Sequence, residues 1–256
     1  MTAPTTAPRI RAVFLAAGFA TRLYPLTLNR AKPLLEIGGE AMITRLVDQV
    51  QQSASIVDGV VVTNGKFHDD FVAWRDGLDS RLDLTLVNDG ATSNDDRLGA
   101  IRDLQLALDQ APARDDLDGY LVLACDNLLD LDVEALVARF AKSGNGQLIV
   151  RTVPEPVPPG RYSEVTLDGD RVASFREKPA DPRSNLSAIA VYLLPADLPA
   201  RLRAHLAAGG NPDAPGHLLA RLAADSTLEA TPLTGRWLDI GSAEDLAAAE
   251  AAHGAG

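Results

Sequence analysis

Phe14-Leu-Ala-Ala-Gly-Phe-Ala-Thr-Arg-Leu-Tyr-Pro-Leu-Thr-Leu-Asn-Arg-Ala-Lys-Pro-Leu-Leu35 continues an apolar run that begins at Ile10 and ends at Ala17. Ile10–Ala17 is apolar enough to form a strand buried on both faces. Gly18 breaks it into a loop of small residues, and two cations, Arg22 and Lys32, follow before Pro33 and a second apolar run. A strand that ends in small residues lets backbone N–H groups approach a phosphate chain closely. Cations just beyond it can neutralise the same phosphates. This stretch alone therefore predicts a nucleoside triphosphate site. Two familiar phosphate loops are excluded. No G-x-x-x-x-G-K-[ST] occurs, and Gly18-Phe-Ala-Thr-Arg22 is not G-x-G-x-x-G and runs into Pro25 instead of a helix.

Outward from the loop, helical spacing over 41–52, 69–77, 98–108 and 133–141 alternates with strand-like runs over 57–63, 82–87 and 120–124. Strands and helices alternating at this interval predict an α/β fold, a Rossmann-like α/β/α sandwich on a mostly parallel mixed sheet. The rhythm changes after Val153, where Pro154, Pro156, Pro158 and Pro159 mark a loop. Strand-like 161–167 and 171–176 then flank the hairpin turn Asp168-Gly-Asp170. Further strands are expected over 187–194 and 227–232, with helices over 200–208 and 243–252 and a linker at 209–212. The chain thus divides into a loose tail (1–8), a nucleotide-binding core (9–153), a smaller β-rich lobe (154–240) and a C-terminal helix and tail (241–256).

With 256 residues, 46% of them apolar and 23% charged, the chain can bury a proper core. A net charge of -11 argues against nonspecific binding to nucleic acid or to an anionic membrane. Residues 1–35 nevertheless hold Arg9, Arg11, Arg22, Arg30 and Lys32 and no acid, which fits a small polyanionic ligand or a chance cluster. The single cysteine, Cys125, rules out an internal disulfide and fits a reducing cytoplasm. Met1–Pro8 lacks the charged and apolar regions of a signal peptide, and no apolar run approaches the ~18 residues that span a bilayer. A soluble, cytoplasmic protein is expected.

The loop resembles the signature of the sugar-1-phosphate nucleotidylyltransferases, the nucleotide-sugar pyrophosphorylases. Leu15-Ala-Ala-Gly-Phe-Ala-Thr-Arg-Leu23, Pro25-Leu-Thr27 and Lys32-Pro-Leu-Leu-Glu-Ile-Gly-Gly39 match that family's pattern, apart from Ala20, where many members have a second glycine. Three later motifs agree. Leu121-Val-Leu-Ala-Cys-Asp126-Asn127 looks like the family's Gly-Asp-Asn strand end, with Cys125 in place of glycine. Ser174-Phe-Arg-Glu-Lys-Pro179 resembles its Glu-Lys-Pro motif, and Trp237-Leu-Asp239-Ile-Gly241 its Trp-x-Asp-x-Gly motif. Only four of the 24 cationic residues are lysines, and two of those, Lys32 and Lys178, precede proline in these motifs. In a chain that otherwise prefers arginine, that points to a need for a compact charge. The resemblance runs from about residue 10 to 246 and implies a single catalytic domain without the β-helical C-terminal domain of some relatives.

The resemblance implies a Mg²⁺-dependent enzyme in which a sugar 1-phosphate attacks the α-phosphorus of a nucleoside triphosphate and pyrophosphate leaves. It assigns Asp126 and Asp239 to the metal, and Arg22, Lys32 and Lys178 to the reacting phosphates. Ala16, Ala17, Gly18 and Thr21 go to the nucleotide, together with Asp89, Asn94 and Gly99 of the later loop. Asn127, Tyr162, Glu177 and Asn185 go to the acceptor. No histidine falls in a motif, and no nucleophile–base pair is expected. Oligomer formation is common in the family.

Substrate identity is fainter. Leu98-Gly-Ala100 keeps the family's base-reading pair, but the preceding loop has aspartates and no glutamine. Asp89 or Asp95 can accept the N1–H and N2–H₂ donors of guanine, which leans toward GTP, with dTTP next. A solvated acidic loop reads equally well. Tyr162-Ser-Glu164 stands where many relatives have Tyr-Gly-Val, and Ile189-Ala190 where Thr-Gly is usual. A changed hydroxyl pattern in the pocket predicts an atypical sugar, deoxy sugar or cyclitol 1-phosphate as acceptor. Two alternatives remain open: a transferase for a non-sugar phosphate of the phosphocholine or phosphonate type, and a non-catalytic paralogue that binds a nucleotide sugar.

Overall fold

Ile10–Ala16 forms β1, and its alternate side chains feed two different cores. Ile10, Ala12 and Phe14 pack on one face of the sheet and Val13 on the other, as the period-2 geometry of a doubly covered strand requires. The computed structural model describes residues 7–225 and 228–253. Most of the expected N-terminal tail, Thr227 of the expected strand over 227–232, and the last three residues lie outside the described residues.

The remaining strands are β2 (Glu36–Ile37), β3 (Glu40–Ala41), β4 (Ile56–Thr63), β5 (Leu84–Asn88), β6 (Gly119–Ala124), β7 (Asn127–Leu129) and β8 (Gly146–Thr152), followed by β9 (Glu164–Asp168), β10 (Arg171–Arg176), β11 (Leu186–Pro195), β12 (Leu228–Pro232) and β13 (Trp237–Asp239). The helices are α1 (Met42–Val50), α2 (His68–Asp76), α3 (Ala100–Gln110), α4 (Val133–Ser143), α5 (Leu198–Ala207), α6 (Pro215–Asp225) and α7 (Ala243–His253). One nine-stranded sheet runs β5-β4-β1-β6-β11-β8-β12-β10-β9. From β5 to β6 it is parallel; β11 then inserts antiparallel between β6 and β8, and β8–β12 is again parallel. The hairpin expected at Asp168-Gly169-Asp170 joins β9 to β10.

Ile43, Leu46, Val47 and Val50 of α1 lie in one core with Phe71 of α2 and Leu136 and Phe140 of α4. The other face is covered by α3, α5 and α6 through residues such as Ile101, Leu104, Leu202 and Leu219. The result is the α/β/α layering expected from the sequence. Two elements exceed the sequence expectations. Gly146–Thr152 is a nearly fully buried strand that runs straight into the proline loop. Pro215–Asp225 is a helix whose Leu218, Leu219 and Leu222 are buried, although Gly209-Gly-Asn-Pro212 directly precedes it.

The cations of the first 35 residues do not form one patch. Arg11 sits near the amino end of β1, buried, and makes a two-point ion pair with Asp58 at 2.7 and 2.8 Å. Arg9 pairs with Asp116 at 2.8 Å and Arg30 with Glu36 at 2.7 Å. Arg22 and Lys32 remain for the carboxyl end of β1.

Candidate functional site

The loop after β1 is fixed by two buried polar side chains. Asn64, fully buried just past β4, donates from Nδ2 to the Ala17 carbonyl at 3.0 Å, and its Oδ1 accepts from Phe67 N–H at 3.0 Å. The Thr27 hydroxyl, 1% exposed, donates to the Ala20 carbonyl at 2.8 Å, which gives the Pro25-Leu-Thr27 motif a structural job. A short 3₁₀ turn over Thr21–Leu23 leaves Thr21 and Arg22 exposed while Leu23 is buried. Ala20 adopts φ 47°, ψ 44°, the left-handed conformation that glycine takes at least cost, at the position where many relatives carry glycine. Gly18 is exposed, and a Cβ added there would meet no protein atom within 4 Å, so the protein itself makes no steric demand for glycine at that point.

Lys32 opens a second 3₁₀ turn, Lys32–Leu34, and is 6% exposed. Its Nζ lies 3.9 Å from Asp126 Oδ2. Burial pushes its pKa down; Asp126 and Asp239 oppose that shift, and Arg22 adds to it. One buried ammonium thus feels three of the residues singled out in separate motifs. Asp126 follows β6 and is exposed, with Asn127 Nδ2 donating to its Oδ1 at 2.8 Å. Asp239 reaches the same place because β13 pairs antiparallel with β7, opposing Asp239 to Asn127. Among the described residues no group of three or more His, Cys, Asp or Glu could hold a metal. Two hard carboxylates beside an open loop nevertheless suit Mg²⁺, which binds one or two carboxylates and completes its shell with substrate phosphates and water. Cys125 is fully buried and its thiol pKa is pushed well up, first by burial and then by Asp126. It behaves as a small apolar residue.

On the β-rich side, Glu177 packs against the first turn of α6: a Cβ on Gly216 would fall 1.8 Å from Glu177 Oε2. Burial raises the Glu177 pKa, against the pull of Lys178 and His217. Lys178 has φ 44°, a left-handed backbone rare for a residue with a side chain, and its Nζ is 3.8 Å from Glu177 Oε1. Ser163 Oγ meets Ser187 Oγ at 3.1 Å and accepts from Ala188 N–H at 3.1 Å. The serine in Tyr162-Ser-Glu164 therefore ties this segment to β11. Tyr162 and Asn185 are half-buried, and the Asn185 carbonyl accepts from Val153 N–H.

The loop after β5 differs from a simple solvated loop. Thr92 and Ser93 fold onto the Asp96 carboxylate, which their four donors hold well below the usual carboxylate range. Asn94 is half-buried and Asp95 exposed. Asp89 Oδ1 accepts from Ala91 N–H at 2.7 Å; its buried Oδ2 and the buried Oδ1 of Asp103 have no donor. Burial, with the neighbouring Asp89 adding to it, lifts the Asp103 pKa to about 7. Gly99, buried with φ 92°, lies against the 209–213 linker. The Pro212 and Asp213 carbonyls accept from Ile101 and Ala100 N–H and cap the first turn of α3. Three residues escape sequence reasoning: Asn64, Asp103 and Arg151. Asn64 alone carried a signal, the polar Thr63-Asn-Gly65 at a strand end.

A nine-stranded mixed sheet with helices on both faces and charged loops at the strand ends defines the class, and solved structures share it. A UDP-glucose pyrophosphorylase complexed with UDP-glucose superposes with TM-score 0.77 at 18% identity, over 96% of this chain and 99% of the other. UTP-bound UGPase from Acinetobacter baumannii gives 0.75 at 21% identity, over 96% and 93%. The nucleotidyl transferase family profile matches residues 11–255, and the chain belongs to that family. Among its relatives, a mannose-1-phosphate guanyltransferase of Aspergillus fumigatus is 27% identical over 242 residues, and mannose-1-phosphate guanylyltransferase 1 of Arabidopsis thaliana is 27% identical over 244. The alignments cover 93% and 92% of this chain but 62% of each relative, so the chain spans less than two thirds of their length.

Proposed function

We propose that the chain transfers a nucleotidyl group from a nucleoside triphosphate to a sugar-type 1-phosphate and releases pyrophosphate. The observation that carries this reading is Lys32, a buried ammonium under the joint influence of Arg22, Asp126 and Asp239. Residues 9–153 would serve the nucleotide, and 154–240 the acceptor while supplying Asp239.

A phosphate monoester is already anionic, so its attack on the α-phosphorus needs no general base. The obstacle is repulsion between two polyanions, and catalysis reduces to positioning and charge neutralisation. In this reading Gly18 leaves room for the triphosphate against backbone N–H groups. Arg22 faces the departing pyrophosphate, Lys32 the reacting phosphates and Lys178 the incoming phosphate, with Glu177 on the acceptor's hydroxyls. Asp126 and Asp239 would hold Mg²⁺, which supplies positive charge to the phosphate oxygens when bound.

For the base, the guanylyl transfer named for the two relatives supports GTP ahead of dTTP. Asp89 already serves Ala91 and Asp103, so the exposed Asp95 is the freer carboxylate for guanine. For the acceptor, Ser163 and the buried Ile189 favour an atypical sugar or cyclitol over glucose. No helix among the described residues is long and apolar enough to cross a membrane, and a cytoplasmic location is part of the proposal. A pyrophosphate-release screen with Mg²⁺, five nucleoside triphosphates and a panel of sugar, cyclitol and non-sugar phosphates tests the reading. Release with GTP and a sugar-type 1-phosphate other than glucose is expected. Glucose 1-phosphate turned over as well as any alternative contradicts the acceptor assignment, release only with non-sugar phosphates contradicts the sugar class, and no release with any pair leaves a binding protein.

A further inference from the structure

Arg151 lies near the end of β8, with Ser187 of β11 as its register partner. Its guanidinium carbon is 3.9 Å from the Trp237 ring centroid and 5.9 Å from that of Tyr162. Trp237 is two residues from Asp239 on β13, and Tyr162 adjoins Ser163, whose hydroxyl touches Ser187. Three distant parts of the sequence thus build one wall beside Asp239.

Among the described residues the wall holds no carboxylate within ion-pair distance of Arg151. Arg11, Arg45, Arg75, Arg139 and Arg176 are likewise shielded from full exposure, and each has a carboxylate within 4 Å. Among the described residues no ion pair involves Arg151, although its side chain is half-buried and burial disfavours its charge. Tyr162, whose hydroxyl accepts a hydrogen bond from the guanidinium, and the carboxylate of Asp239 offset part of that penalty. Stacking on indole compensates for part of the lost hydration, yet it engages only the guanidinium face. One edge of the guanidinium is turned to the Tyr162 hydroxyl; the N–H groups beyond it form a fork that matches the oxygens of a phosphate or a carboxylate.

We propose that Arg151, held on Trp237 beside Tyr162, binds an anionic group of the acceptor and selects for it. The location beside Asp239 and Tyr162 makes this a refinement of the transferase reading above, on which it rests. The anionic oxygens belong either to the acceptor's own 1-phosphate or to a second acidic substituent on its ring.

Trp74 and Trp237 are the two tryptophans of the chain, so Trp74→Phe leaves Trp237 as the only indole reporter. Inorganic phosphate, glucose 1-phosphate and glucuronic acid 1-phosphate are titrated separately into that variant of the intact chain, with no nucleotide present. Saturable change in Trp237 emission is expected with at least one of them. Arg151→Lys should raise the midpoint and Arg151→Gln should raise it further, by about tenfold or more, with melting temperature and nucleotide KM unchanged and acceptor KM raised in parallel. Equal losses for the neutral and the acidic sugar phosphate assign the contact to the 1-phosphate. A loss confined to glucuronic acid 1-phosphate assigns it to the ring substituent. Midpoints and acceptor KM that stay within about twofold in Arg151→Gln overturn the proposal. Because binding is read without turnover, saturation that depends on Arg151 in a chain releasing no pyrophosphate would refute the transferase reading and leave the anion site standing.

Discussion

Charge alone does not distinguish the residues that matter here; its surroundings do. Arg11 and Lys32 are both buried cations, but Arg11 is matched at two points by Asp58, whereas Lys32 has a single carboxylate oxygen at 3.9 Å and the company of another cation. Arg22 and Lys178 are exposed, so their removal should leave folding intact. Arg22→Ala and Lys178→Ala are each expected to lower kcat for pyrophosphate release by about 10²–10³-fold without moving the melting temperature. Near-normal turnover in either removes that residue from the mechanism. Asp103 makes the opposite case, a charge the fold disfavours. Its pKa of about 7 exceeds the ordinary carboxylate value of 3.8, so between those values the folded protein keeps a proton that the unfolded chain releases. Stability must therefore fall as pH rises from about 4 to 7, with Asp89 the acid facing it. Asp103→Asn should remove this dependence and raise the melting temperature above pH 7, while changing little near pH 4. A parent and variant whose melting temperatures run parallel over that range would show that Asp103 does not keep its proton in the folded protein.

At the scale of elements, α3 begins where the end of the linker, at Pro212 and Asp213, docks against Gly99. A Cβ at Gly99 would lie 2.6 Å from the Pro212 carbonyl oxygen on a backbone of φ 92°. Gly144 has φ 69° and open space around its missing Cβ. Gly144→Ala should therefore cost about 1 kcal/mol, the left-handed term alone, and Gly99→Ala about 2 kcal/mol or more once displacement of the linker is added. Equal denaturation midpoints for the two variants would mean that the linker is not held there. The same contact explains what the sequence could and could not reveal. The loop after β1 and the helices α1 and α4 are encoded by local spacing, and they fall within a few residues of expectation. Helix α6 is hidden by Gly and Pro before it and is stabilised by Leu218, Leu219 and Leu222 against the sheet, a tertiary effect. Asp103 sits on the buried side of α3 beside Leu104 and Ala107, where its pattern in sequence is that of any helix aspartate. Arg151 becomes conspicuous only when β13 brings Trp237 onto it.

At the scale of the whole molecule, the proposed division of function at residue 153 does not cut the sheet. β11, from the second part, is hydrogen-bonded on one side to β6 and on the other to β8, both from the first. Every residue of β6 from Gly119 to Leu123 therefore loses half of its strand pairing if residues after 153 are withdrawn. Buried backbone groups left without partners are costly, of the order of 1–3 kcal/mol each, and several at once exceed the ~5–15 kcal/mol that stabilises an ordinary domain. The two parts should then unfold together. Trp74, hydrogen-bonded to Thr44 Oγ1 on the α1 side, reports on the first part, and Trp237, stacked on Arg151, on the second. With Trp237→Phe and Trp74→Phe used in turn, urea unfolding followed by the remaining indole should give the two probes one midpoint and one slope once each variant's own stability, from circular dichroism, is taken into account. Two separated transitions would mean that the second part can open while the first holds. Coincident curves would tie the two parts to a single cooperative unit, with the β7–β13 pairing that opposes Asp239 to Asn127 formed only when both parts are folded.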